Sequence, residues 1–268
     1  MKYKLGFIGA GNMGGALLSA ALKTTPAQNI AVSEKNPVLS DKIRSEYGCA
    51  PESAETVAKE CEYIFLGVKP QIMPIVCSDI KDALASRETP FTIVTMAAGV
   101  SIEKLRGYIG GEHPVIRIMP NTPVKVDEGM VLYTCSENVT DSALNEFLSV
   151  MAEAGRFDRL SENLIDAGCA ISGCGPAFAY MFIEALADGA VTCGLPRDKA
   201  ISYAAQTLLG SAKMVLETGE HPELLKDNVC SPGGSTIAGV RELEAHGFRG
   251  AALDAVIAAY DRTVELGK

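Results

Sequence analysis

Short apolar runs alternate with longer stretches of mixed polarity through the first part of the chain. Lys4–Ile8, Ile30–Ser33, Tyr63–Val68 (YIFLGV), Phe91–Met96 (FTIVTM) and Val115–Met119 (VIRIM) are nearly continuous in apolar residues. Runs of that length and character read as strands covered on both sides. Helices are expected at Met13–Lys23 and Pro37–Tyr47, and again before each of the later strands. Met130–Cys135 and Gly155–Leu160 look like two further strands. Repeated strand–helix units of this kind predict a parallel sheet with helices on both faces.

After about Glu162 the pattern changes, and every later segment reads as helix: Pro176–Cys193, Pro196–Glu217, Pro222–Lys226, Ser235–Ala245 and Arg249–Leu266. Proline or a polar residue marks most starts, and Gly194, Gly219, Gly247 and Gly267 mark ends, as helix punctuation requires. The longer helices are rich in small residues, including Ala185, Ala187, Gly189 and Ala190 in one and Ala251, Ala252, Ala255, Ala258 and Ala259 in another. They are too apolar to stand alone in water, so part of their surface is expected to be an oligomer interface. The predicted organisation is α/β, with a doubly wound sheet domain over 1–161 and an all-helical domain over 162–268.

Composition removes several classes of function. The net charge of −9 opposes a nucleic-acid partner, because phosphate binding needs clustered Lys and Arg. The eight cysteines include no Cys-x-x-Cys, and the three histidines share no ligand spacing; reduced thiols in a cytoplasmic protein are expected, with no metal site. Ala167–Ile183 is uncharged but short for a bilayer span and broken by Gly173, Gly175 and Pro176, so a helix–break–helix buried in protein fits better. The first residues are expected to form a strand entering a glycine turn rather than a secretory leader.

Candidate chemistry begins at Ile8-Gly9-Ala10-Gly11-Asn12-Met13-Gly14. This is a G-x-G-x-x-G directly after a strand and opening a helix, the context in which the pattern marks dinucleotide binding. Gly9 permits the turn, Gly11 allows a pyrophosphate to approach the backbone, and Gly14 lets the helix pack closely. The tip of the second strand offers Ser33, Glu34 and Lys35. An acid there suits an unphosphorylated ribose and a base suits a 2′-phosphate; Lys35 favours NADPH, with NADH open. Val68-Lys69-Pro70, Ala97-Ala98 and Asn121 end later strands, where ligands of open α/β sheets bind. Asn121 offers a donor for the nicotinamide end of such a cofactor.

A second loop, KDNVCSPGGSTIAGV (Lys226–Val240), joins a Pro-Gly-Gly turn to a helix and holds no histidine and one acid. With FIGAGNMG, GVKP, AAGVS, MPNTP and SGCGPAFAY, it resembles the corresponding motifs of pyrroline-5-carboxylate reductases, and the likeness covers essentially the whole chain. The resemblance implies a Rossmann domain followed by a helical dimerisation domain that interlocks between two subunits, with dimers that often assemble into a decamer. It implies reduction of a cyclic imine carboxylate to L-proline by NADPH or NADH. It gives Thr236 the role of orienting the ring nitrogen, gives carboxylate binding to Ser231, Gly234 and Ser235, and places Asn228 between substrate and cofactor. Glu162 matches a position on the rim of the substrate pocket; on its own terms it is an acid at a helix start, favoured by the macrodipole.

Such a substrate explains a loop without strong acids or bases. A protonated imine is already electrophilic, so positioning does most of the work. A β-hydroxyacid dehydrogenase would share the two-domain plan but needs a proton relay. The lysine those enzymes carry is missing from Gly175–Glu184. A non-catalytic dinucleotide-binding protein would not need the Ser231–Thr236 turn. One departure from the family is Cys174, where many members carry serine, a stronger hydrogen-bond donor.

Overall fold

The computed structural model describes residues 1–267. It divides into two compact units, 1–174 with the chain end from Ala259, and 175–258.

The first unit is built on eight strands: β1 (Tyr3–Ile8), β2 (Ile30–Ser33), β3 (Ala50–Pro51), β4 (Cys61–Leu66), β5 (Thr92–Thr95), β6 (Val115–Met119), β7 (Gly129–Cys135) and β8 (Gly155–Arg159). They lie in the order β3-β2-β1-β4-β5-β6-β7-β8. Seven of these match the runs read from sequence. The extra one, β3, has two residues; its proline is tolerated because it sits on the sheet edge. The all-parallel expectation fails at one place, since β7 runs antiparallel to β6. Only a loop with the short 3-10 turn Thr122–Val126 joins them, and a parallel return would need a crossover of a dozen residues or more.

Side chains alternate between the two faces along each strand, as the period of two dictates. Leu5, Phe7, Tyr63 and Phe65 pack with Leu17 and Leu18 of α1 (Asn12–Ala21) and Phe147 of α6 (Asp141–Val150). Ile8, Ile64, Leu66 and Ile93 pack with Val57 of α3 (Ala54–Glu60), Met73 and Ile80 of α4 (Met73–Ala85) and Leu105 of α5 (Ile102–Ile109). Helix α2 (Pro37–Lys42) runs on into a π turn at Ile43–Tyr47. Asn36, Ser53, Ser101 and Thr140 cap α2, α3, α5 and α6 with their side chains. The unit also contains α7 (Ile165–Ser172), whose Ile165 is buried with Met119 and Leu132.

The second unit holds α8 (Gly175–Thr192), α9 (Arg197–Thr218), α10 (Pro222–Val229), α11 (Ser235–Ala245) and the start of α12 (Phe248–Gly267). These are the five helices expected. Phe182 packs on Phe248 at 5.3 Å between ring centres, and Arg249 pairs with Glu223 and Glu244. Glu162–Thr192 has the length and apolarity of a membrane span, but the turn at Gly173–Cys174 interrupts it. The expectation that this stretch is buried is not met within one chain: Ile171 is 63%, Tyr180 59% and Met181 70% exposed. The apolar face needs a partner that a single chain does not supply.

Candidate active site

The strand order reverses between β1 and β4, and ligands of doubly wound sheets bind outside the carboxyl ends at that point. Three glycines meet there. Gly9 adopts φ +87°, and a Cβ on Gly14 or Gly67 would lie 2.6 Å or 2.3 Å from the Gly9 carbonyl oxygen. The backbones of both loops therefore touch where no side chain fits. Gly67 stands in the GVKP motif, but the sequence does not reveal that its backbone meets the Gly9 carbonyl. Gly11 is different: a Cβ there would meet nothing within 4 Å, so its value lies in what can approach from outside. Gly11 is also the N-cap of α1, with no side-chain cap and no acid in the first turn. The helix thus presents unpaired N–H groups and the positive end of its dipole, including those of Asn12 and Met13, to an anion. The donor set fits a pyrophosphate.

Ser33 and Glu34 stand beside this turn. The Ser33 carbonyl accepts from Gly9 N–H at 2.8 Å. The Glu34 carboxylate accepts from Ala10 N–H at 2.8 Å and from Asn36 N–H at 2.9 Å. Lys35 is exposed. Val68 and Pro70 are half-buried and Lys69 is exposed after β4; Ala97 is buried and Ala98 half-buried after β5. Ile8, Gly9, Ala10, Gly11, Asn12, Met13, Ser33, Lys35, Val68, Lys69, Pro70, Ala97, Ala98 and Asn121 therefore all come from the carboxyl ends of β1, β2, β4, β5 and β6.

Asn121 is mostly committed to the fold. Its Nδ2 donates to the Ser172 carbonyl at 2.9 Å and its Oδ1 accepts from Met130 N–H at 2.9 Å, which leaves one amide hydrogen for a ligand. Glu162 has a similar double task. It begins a 3-10 turn leading into α7, its carboxylate accepts from Ile102 N–H at 2.8 Å, and it pairs with the Arg117 guanidinium at 3.2 Å. Arg117, 97% removed from solvent on β6, also holds Asp166 at 2.9 Å. One buried cation thus fixes the start of α7 and, through Glu162, the start of α5. Sequence reasoning missed Arg117, since an arginine inside VIRIM looks like an interruption of the strand.

The substrate-turn candidates lie in the helical unit. Asn228 is exposed near the end of α10. Gly233 takes φ +70°, and a Cβ on Gly234 would crowd Ser231 Oγ at 2.4 Å, so each glycine of the Pro-Gly-Gly turn has its own reason. The turn is closed by Gly234 N–H donating to the Ser231 carbonyl at 3.0 Å. Gly234 is the N-cap of α11, again without a side-chain cap or an acid in the first turn. Ser231, Ser235 and Thr236 are exposed. The turn is a second helix start, with the positive end of the helix dipole and N–H groups that no side chain caps. At the Gly173–Cys174 break, Cys174 N–H donates to the Cys169 carbonyl at 3.3 Å, and burial pushes the Cys169 thiol up to about 11. No group of three or more His, Cys, Asp or Glu side chains is arranged to hold a metal among the described residues.

Comparison with known proteins finds relatives over both parts of the chain. The family model for pyrroline-5-carboxylate reductase dimerisation matches residues 162–266, and one for NADP oxidoreductase, coenzyme F420-dependent, matches residues 4–98. The pyrroline-5-carboxylate reductase of Escherichia coli strain K12 is 42% identical over 272 residues, covering 100% of each chain. The crystal structure of Plasmodium falciparum pyrroline carboxylate reductase with NADP bound is 32% identical and superposes with a TM-score of 0.88 over 100% of each chain. The solved structure of a Coxiella burnetii pyrroline-5-carboxylate reductase is 30% identical, with a TM-score of 0.89 and the same coverage.

Proposed function

The chain belongs to the pyrroline-5-carboxylate reductase family, and we propose that it catalyses that family's reaction, reducing 1-pyrroline-5-carboxylate to L-proline in the last step of proline synthesis. NADPH or NADH, when bound, supplies the hydride. Gly11, Asn12 and Met13 offer the helix-start N–H groups for the pyrophosphate, and Lys35 a cation for a 2′-phosphate. The α11 N-terminus takes the substrate carboxylate on its free N–H groups, with Ser231, Gly234 and Ser235 shaping the turn. Thr236 holds the ring nitrogen through its hydroxyl, and Asn228 contributes a polar contact from α10. The ring nitrogen is basic enough to carry its own proton, so orientation is the chain's main contribution.

The observation that carries this proposal is the start of α11. It has no side-chain cap and no acid in its first turn, and Ser235 and Thr236 are exposed there. The helical unit is proposed to pair as a homodimer, with a decamer as the larger assembly. The eight free cysteines suit a reducing, cytoplasmic setting. Oxidation of NADPH followed by its absorbance, with 1-pyrroline-5-carboxylate and with its methyl ester as control, tests the activity. Turnover of the acid and little of the ester is expected; equal kcat/KM for both would remove the anion-binding role of the turn.

A further inference from the structure

The glycine turn does not stand free beside the second strand. Ala10 is 2% exposed, so its N–H has no access to water and needs an acceptor from the protein. Glu34 provides it, at 2.8 Å, while its second oxygen accepts from Asn36 N–H at 2.9 Å. Asn36 in turn caps α2 by accepting from Val38 and Leu39 N–H at 3.1 Å and 3.3 Å. One carboxylate therefore ties the β1–α1 turn to the start of α2. The neighbouring bond from Gly9 N–H to the Ser33 carbonyl makes a second tie in the same place.

This arrangement changes what an acid at the strand tip does. Each Glu34 oxygen already accepts from a backbone N–H, so the carboxylate is fixed in place and partly spent before any ligand arrives. It remains a full negative charge beside the place where an adenosine ribose would lie. Lys35, next to it in sequence, is exposed. The two adjacent side chains thus differ in kind: one is anchored in the turn and the other is free to move.

We propose that Glu34 is a positioning residue, a clamp on the Gly9–Gly14 turn, and that its anchored charge weakens this chain's preference for the 2′-phosphorylated cofactor. This rests on the reading that the turn binds a dinucleotide. It has two separable consequences. The clamp orders the turn for either cofactor, and the charge repels only the one with the extra phosphate.

Two variants separate them. Glu34→Gln removes the charge and turns one acceptor into a donor that cannot bond another N–H. Glu34→Asp keeps the charge but shortens the reach to Ala10. Hydrogen exchange at the Ala10 amide, followed by NMR in protein without cofactor, reads the clamp. Exchange about tenfold faster is expected in Glu34→Asp, as for loss of one buried hydrogen bond; the glutamine keeps one oxygen that can stay on Ala10 N–H, so unchanged exchange in Glu34→Asp is the result that overturns the clamp. Calorimetric titration with NADPH and with NADH, without substrate, reads the charge. The ratio of the two dissociation constants should move about threefold or more toward NADPH in Glu34→Gln, and stay near wild type in Glu34→Asp. An unchanged ratio in Glu34→Gln overturns the discrimination, and so does an equal change in Glu34→Asp. If the wild type binds neither cofactor, the underlying reading fails, yet the exchange measurement still decides the clamp. If Glu34→Gln does not fold, Glu34→Asp still tests the clamp by exchange, and Glu34→Ala replaces the glutamine in the titration.

Discussion

The two units bury their apolar residues in opposite ways. The sheet unit closes over two large clusters, with Phe7, Phe65, Leu17, Ile64, Leu66 and Ile80 fully shielded. Among the described residues of the helical unit, only Ala187, Ala200 and Ala204 are buried, while Tyr180, Met181, Tyr203, Leu209 and Leu216 are more than half exposed. A fully buried Leu, Ile or Phe contributes about 1.5–3 kcal/mol and an alanine methyl about 0.8. The sheet unit therefore carries its own stabilisation, and the helical unit lacks it until another surface covers it. The match to a dimerisation family over residues 162–266, which include this unit, says where that surface comes from. Each unit still presents the same chemical device, a glycine turn opening an uncapped helix. The sheet unit sets its own against a buried core, whereas the helical unit sets its own on an exposed surface.

The largest test of the contrast is thiol reactivity. Burial pushes the Cys61 and Cys77 thiols of the sheet unit up to about 12, whereas Cys193, just past α8, is exposed. Alkylation near neutral pH, resolved by peptide mass spectrometry, should label Cys193 about a thousandfold faster or more, because the thiolate is the reactive form. Comparable rates would mean that the sheet core opens as readily as the helical surface.

Assembly gives the next effect. Met181, in α8, is 70% exposed in the single chain. Met181→Lys should place a charge where an apolar partner surface is expected, raising the dimer dissociation constant by about a hundredfold or more. Sedimentation at falling protein concentration reads this, with loss of activity following dissociation. An unchanged assembly would move the interface off this face of α8.

A smaller loss is expected inside the sheet unit. Arg117→Met would leave the Glu162 and Asp166 carboxylates without their shared cation. Breaking a buried pair costs about 3–5 kcal/mol. These side chains are 35% and 30% exposed, so solvent screening reduces the expected loss to about 2 kcal/mol. Urea unfolding should show it as a lower midpoint with the dimer intact. No shift would mean that water replaces the guanidinium at little cost.

Much of this was legible in the sequence, and the gaps have physical causes. Seven strands and the five late helices follow from the period of the apolar residues, because burial on two sheet faces or one helix stripe is local information. The reversal of β7 was not legible, since direction depends on how far a connection must travel rather than on the strand itself. The glycine turns were legible as chemistry, because few residues can take φ +87° or φ +70°. The committed side chains were not. Asn121, Glu34 and Glu162 look in sequence like free polar groups, and only three-dimensional neighbours reveal that Ser172, Ala10 and Ile102 already occupy them.

Thr236 is the proposed site residue for which the smallest change is the informative one. It lies in the exposed first turn of α11. Thr236→Val keeps the shape and β-branching and removes only the hydroxyl, so folding and assembly should be unaffected. If that hydroxyl holds the ring nitrogen, its loss costs one hydrogen bond, about 0.5–1.5 kcal/mol, and somewhat more if the nitrogen is charged. The expected fall in kcat/KM is therefore about tenfold, with Thr236→Ser close to wild type. A loss of many thousandfold with cofactor binding intact would instead mark Thr236 as a proton donor, on the scale of an essential general acid. No loss would leave the α11 turn acting through its backbone N–H groups alone. The helical unit's contribution to the reaction would then be the same in kind as that of the glycine turn in the sheet unit: a helix start offered to an anion.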